Sequence, residues 1–122
     1  MVGGTFTNRE LGALGERLVA YALKQRGCEI LGRNVRTKFG EIDIIARQKN
    51  TVLFVEVKTR RSRRYGYPEE AVDFRKKLHL SRASAALAPT YARNCNYAIL
   101  VVAVELDLTT KIARLTRIEL DA

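Results

Sequence analysis

The sequence predicts an α/β domain in which a helix, three strands, a second helix and two more strands follow one another, with the strands in one mixed sheet. Three observations carry that reading. Thr7-Asn8-Arg9-Glu10 has the form of a capping box ahead of a leucine-spaced run, the signature of a helix start. From Gly40 to Lys58 apolar and polar residues alternate on either side of a polar break at Gln48-Lys49-Asn50, which is strand patterning around a hairpin. Asn96 to Leu106 is a strongly apolar run, as a central strand requires.

The first helix is expected to run from the capping box to Arg26, with Gly27 as its stop. Leu11, Leu14, Leu18 and Ala22 form its buried stripe, and Glu16 lies on the flank, able to look toward a neighbouring sheet. Taken alone, Glu16 reads as a solvated helix residue. Gly12 and Gly15 weaken a helix interior, and the usual compensation is close approach of another backbone. Cys28 to Arg36 reads as a short strand, with Arg33 and Arg36 exposed or facing a ligand, and Thr37 to Gly40 turns the chain.

In the second strand Ile42 and Ile44 lie on one side, with Glu41, Asp43 and Ile45 on the other. In the third, Thr51 to Lys58, Leu53, Val55 and Val57 share one face, and Val52, Phe54, Glu56 and Lys58 share the other. Asp73 caps a second helix expected to end at Pro89. Phe74, Leu78, Ser81 and Ala85 form its stripe, with Leu80 and Leu87 beside them. Lys111 to Glu119 alternates imperfectly, as an edge strand does.

With 122 residues and 47% hydrophobic content, residues 1–122 make one domain with a core of its own. The net charge of +9 favours a polyanionic partner, nucleic acid before membrane; the plainer reading is that it keeps a small protein soluble. Positive charge is densest from Lys58 to Arg64, where Arg60, Arg61, Arg63 and Arg64 precede Tyr65 and Tyr67. With Arg36, Lys38 and Lys76 these arginines are the candidate phosphate contacts. Cys28, Cys95 and His79 lie too far apart for zinc-ligand spacing. Two free thiols are expected, and a disulfide between them stays open. The N-terminus lacks the apolar run of a signal peptide, and Tyr97 to Val104 is too short to span a bilayer. A cytoplasmic protein without a membrane partner is expected.

If the hairpin turns on Lys49-Asn50, Gln48 faces Thr51, and counting back sets Asp43 opposite Glu56. A slip of one residue would send Asp43 to the other face. In the expected register two carboxylates and the Lys58 ammonium converge. Close carboxylates repel unless a proton or cation sits between them, and oxygen ligands suit a hard metal such as magnesium. A triplet as short as E-x-K equally fits a solvated strand face, the commoner use of such charges.

Gly15-Glu16, Arg26-Gly27, Arg33-Asn34, the string Phe39 to Ala46 and the string Phe54 to Arg60 together resemble the small bacterial YraN-like proteins of the PD-(D/E)xK nuclease superfamily. The resemblance covers about the first two-thirds of the chain. It implies a restriction-endonuclease-like three-layer core, a five-stranded sheet flanked by helices, and a Holliday-junction-resolvase-like endonuclease using Mg2+ or Mn2+. It also implies Asp43, Glu56 and the Val57 carbonyl as metal ligands, Lys58 as the catalytic lysine and Glu16 as an accessory acid. A homodimer acting on DNA is implied by analogy with resolvases. The alternative is a nucleic-acid-binding module with little activity of its own, acting with a partner protein.

Overall fold

The computed structural model describes residues 6–61 and 73–120. Along the chain these form α1 (Asn8–Gln25), β1 (Glu29–Thr37), β2 (Gly40–Gln48), β3 (Thr51–Arg60), α2 (Phe74–Tyr91), β4 (Asn96–Asp107) and β5 (Ile112–Leu120). The order α-β-β-β-α-β-β is the predicted one. The strands lie side by side in sequence order in one five-stranded sheet. β1, β2 and β3 pair antiparallel, β3 and β4 parallel, and β4 and β5 antiparallel. A parallel pair cannot be closed by a tight turn, so the connection from β3 to β4 is a crossover, and it carries α2 over one face of the sheet.

Three layers result. On one face α1 packs Leu11, Val19 and Leu23 against Ile44, Val55 and Val102. On the other, α2 packs Leu80 and Ala83 against Ile42, Phe54 and Val101. Leu100 and Val104 belong to the first cluster and Ile99 and Val101 to the second, which is why β4 reads as a continuous apolar run. β5 is an edge strand, with Ile112 63% exposed.

The α1 capping box is present: Thr7 Oγ1 accepts the Glu10 N–H at 3.1 Å, and the Glu10 carboxylate accepts the Thr7 N–H at 2.9 Å. The buried stripe differs from the expected one. It runs through Leu11, Gly15, Val19 and Leu23, while Leu14, Leu18 and Ala22 are only partly covered. Gly15 sets this rotation. A Cβ there would lie 1.8 Å from Thr59 Oγ1, whereas one at Gly12 would meet nothing within 4 Å. The close approach predicted for both glycines therefore occurs at Gly15 alone, and it is to a side chain.

Asp73 caps α2, accepting the Lys76 N–H at 2.8 Å. The helix does not stop at Pro89 but continues to Tyr91, closed by the Ala92 N–H on the Ala88 carbonyl at 2.8 Å. Proline here removes a bond to Ala85, and both residues are exposed, so water can serve the freed carbonyl. The buried face is Leu80, Ala83 and Ser84; Phe74 and Leu78, expected inside, are 81% and 36% exposed. Both stripes have helical period, and the sheet selects the one carrying Leu80 and Leu87.

Ile42 and Ile44 do not share a face either. Ile44 enters the cluster under α1 and Ile42 the cluster under α2, so strand alternation breaks between them, at Asp43. Cys28 and Cys95 are both free thiols, and His79 is exposed. Among the described residues no helix is long and apolar enough to cross a membrane.

Candidate active site

The break at Asp43 begins with the hairpin. Gln48 pairs with Thr51, as counting predicts, and the β2–β3 register continues to Ile44 with Val55. One step further brings Asp43 level with Glu56, and there a side chain replaces the backbone ladder: Asp43 Oδ2 accepts the Val57 N–H at 2.8 Å. A strand residue directs its N–H and C=O to the same side, so the Val57 carbonyl faces the same gap between β2 and β3.

Glu56 is 6% exposed, on the α2 side of the sheet. Its carboxylate lies 2.7 Å from Lys76 Nζ and 3.9 Å from Lys58 Nζ. The Asp73 cap fixes the first turn of α2 and so places Lys76 over β3. Lys58, two residues along the strand, points the same way with its side chain 43% exposed. A buried carboxylate requires such a partner, because an uncompensated charge in low dielectric is costly.

Burial pushes the Asp43 carboxyl up to about 7, the neighbouring Glu56 charge adds to this, and the Val57 N–H opposes it. Glu16 is also raised, first by burial, with Glu41 and Glu56 adding and Arg33 opposing. Between the ordinary Asp value of 3.8 and about 7, the folded chain holds a proton that the unfolded chain has released. The stability linked to Asp43 is therefore complete below the unfolded value and lost as pH rises through about 7. In metal-free buffer the melting temperature of the wild type is expected to fall relative to Asp43→Asn as pH rises from 5 to 8. Parallel profiles for the two proteins would show that the carboxyl ionises without strain.

The structure thus brings together Asp43, Glu56, Val57 and Lys58, with Glu16 acting on them from α1. Among the described residues no group of three His, Cys, Asp or Glu side chains is arranged to hold a metal ion. The candidate phosphate contacts do not share one role. Arg36 is exposed and 3.8 Å from Glu41, and Lys38 lies over the Phe39 ring. Arg60 is half-buried, with Nε and Nη2 shielded from solvent. Arg61 is exposed and donates to the Phe6 carbonyl. Lys76 turns inward to Glu56. Arg63, Arg64, Tyr65 and Tyr67 lie outside the described residues.

Sequence reasoning made Lys76 a candidate phosphate contact and missed its tie to Glu56. The available signal was its position three residues after the cap Asp73, on the helix that crosses back over β3. It also missed a groove of about 390 Å³ between α1 and β1, lined by Phe6, Glu16, Arg17, Arg33 and Asn34 among others. Asn34, at φ 51°, lies between the pairs Arg33 with Ile44 and Val35 with Ile42, and so faces Asp43 across the β1–β2 ladder.

Comparison with known proteins finds a match over residues 15–104 to the model of an uncharacterised protein family, UPF0102. A UPF0102 protein of Caldicellulosiruptor saccharolyticus is 47% identical over 105 residues, covering 85% of this chain and 89% of its own. One from Moorella thermoacetica is 42% identical over 112 residues, covering 89% and 92%. Among solved structures, a repair endonuclease from Pyrococcus abyssi aligns with a TM-score of 0.49 and 16% identity, over 87% of this chain and 42% of that one.

Proposed function

The chain belongs to the UPF0102 family, to which the YraN-like proteins belong, and from that footing we propose that it is a metal-dependent DNA endonuclease hydrolysing phosphodiester bonds. The observation that carries the reading is the pair of half-buried Asp43 and buried Glu56 at the end of the β2–β3 ladder, with a main-chain carbonyl in the same gap and lysine beside it. A purely structural sheet has no use for two facing carboxylates, one of them held well above its ordinary range.

The donor set fits a hard divalent cation. Magnesium is commonly held by one or two carboxylates and keeps several waters; Asp43 and Glu56 would supply the two carboxylates, with the Val57 carbonyl as a third oxygen donor. When bound, Mg2+ or Mn2+ lowers the pKa of a coordinated water and polarises the phosphoryl oxygen. The chain's own residues do the rest. Val57 N–H orients Asp43, and Lys58 offers an ammonium to the charge that develops on the phosphate. Glu16, raised by burial, is placed to hold or release a proton at its carboxylate. The surplus of cations draws the polyanion in.

A second reading, a nucleic-acid-binding module with little activity of its own, is favoured by one contact. Lys76 already neutralises Glu56 at 2.7 Å, and a carboxylate so engaged has less capacity for a metal. One assay separates the two. Purified protein is incubated with labelled single-stranded, duplex, flap and four-way-junction DNA in Mg2+ or Mn2+, and in EDTA. Metal-dependent cleavage of a preferred shape is expected; salt-sensitive binding with no product in either metal would replace the nuclease by the binding module.

A further inference from the structure

The groove between α1 and β1 has no part in the acid pair, yet it opens beside Glu16, whose carboxyl feels the Glu56 charge, and Asn34, which sits opposite Asp43 in the β1–β2 register. Two cations line it, Arg17 and Arg33, both exposed. Its two acids, Glu10 and Glu16, match that charge in number, but Glu10 is tied into the capping box and, among the described residues, neither Arg17 nor Arg33 closes a salt bridge, so both guanidinium groups are available to a phosphate. Phe6, 39% exposed, supplies an aromatic wall. Asn34 adds an amide on a left-handed backbone, a conformation that asparagine adopts more readily than other non-glycine residues.

Cations, an amide and a ring on one groove match the phosphate, base edge and base face of a nucleotide. Its volume, about 390 Å³, is at the low end of ligand pockets, about 300–1,000 Å³. That is room for about one nucleotide. A base must leave its stack to enter such a site, which is easiest where it is already unpaired.

We infer that the α1–β1 groove is a subsite for a single unpaired nucleotide adjoining the bond to be cut, with Arg17 and Arg33 on its phosphate, Asn34 on the base edge and Phe6 stacked on the base. The inference deepens the nuclease reading and rests on it for the position of the cut. It names the substrate class: DNA with an unstacked or single-stranded segment at the cleavage point, rather than continuous duplex.

The test is binding in EDTA, where cleavage plays no part. Fluorescence anisotropy of a labelled oligothymidylate and of a blunt duplex is measured for the wild type, Arg33→Ala, Phe6→Leu and Arg36→Ala. The last removes the same charge from an exposed arginine outside the groove, and circular dichroism verifies folding of each. Arg33→Ala is expected to weaken oligothymidylate binding by on the order of tenfold, the loss for one charged hydrogen-bonding partner. Its effect on the duplex should not exceed that of Arg36→Ala, and Phe6→Leu should weaken the single strand alone. Amide shifts at Arg17, Arg33 and Asn34 on adding dithymidine monophosphate would locate the ligand. Equal losses for Arg33→Ala and Arg36→Ala on both DNAs, or shifts elsewhere, would overturn the subsite. A protein that cuts but shows those equal losses keeps the nuclease and loses the subsite; one that binds as expected but never cuts does the reverse.

Discussion

Asp43→Asn is expected to lower metal-dependent cleavage by more than about a hundredfold, since even the outer partners of metal ligands are worth about 10–100-fold. Asparagine retains an oxygen to accept the Val57 N–H that Asp43 holds at 2.8 Å, so the fold is preserved and only charge is removed. DNA affinity should stay level or rise slightly, because a negative group leaves the neighbourhood of a phosphate. Cleavage and binding should be compared on preparations matched with the wild type, to exclude contaminating nuclease. Unchanged cleavage in the variant would remove Asp43 from the reaction and leave the burial of Glu56 beside it without a chemical purpose.

Gly15→Ala should destabilise the fold by about 1–3 kcal/mol, the range for forcing an extra carbon into a packed interior. Alanine gains about 1 kcal/mol over glycine in a helix, but the contact decides the sign. The new Cβ would lie 1.8 Å from Thr59 Oγ1 and 2.9 Å from Thr59 Cβ. Rotating the threonine moves the hydroxyl and leaves the second clash, so α1 has to lift from β3. Glu16, the next residue, moves with it. Gly12→Ala is the control, since its Cβ meets nothing within 4 Å, and it should be neutral or stabilising by up to about 1 kcal/mol. Urea denaturation of both variants checks this; equal midpoints would mean that the α1–β3 contact is softer than the geometry shows.

The two outcomes bear on different levels of the molecule. Gly15 sets how close α1 sits to the sheet, and that distance sets how far the Glu16 carboxyl is buried and how strongly the charge of Glu56 reaches it. Asp43 sets what the gap between β2 and β3 can hold. Lys76 couples the opposite layer to the same gap, because its ion pair with Glu56 at 2.7 Å runs from the first turn of α2 to β3. The candidate site therefore draws on both helices as well as on the sheet between them.

Local pattern alone determined the elements and their order, the capping boundary at Thr7 and Asp73, and the hairpin at Lys49-Asn50 from which Asp43 comes level with Glu56. These were legible because each depends on residues a few positions apart: a cap bonds to its own first turn, and a two-residue loop sets the register of the strands it joins. The E-x-K face was legible for the same reason, strand alternation from Glu56 to Lys58. Tertiary structure decided which helix faces are buried, since period fixes spacing but the partner surface selects among stripes, as Gly15 against Thr59 and Leu80 beneath α2 show. It also decided the break between Ile42 and Ile44, the turn of Lys76 inward, and the groove beside Asn34. Each of these joins residues distant in sequence, and the energy that selects them, burial of apolar surface and compensation of buried charge, exists only once the layers have met.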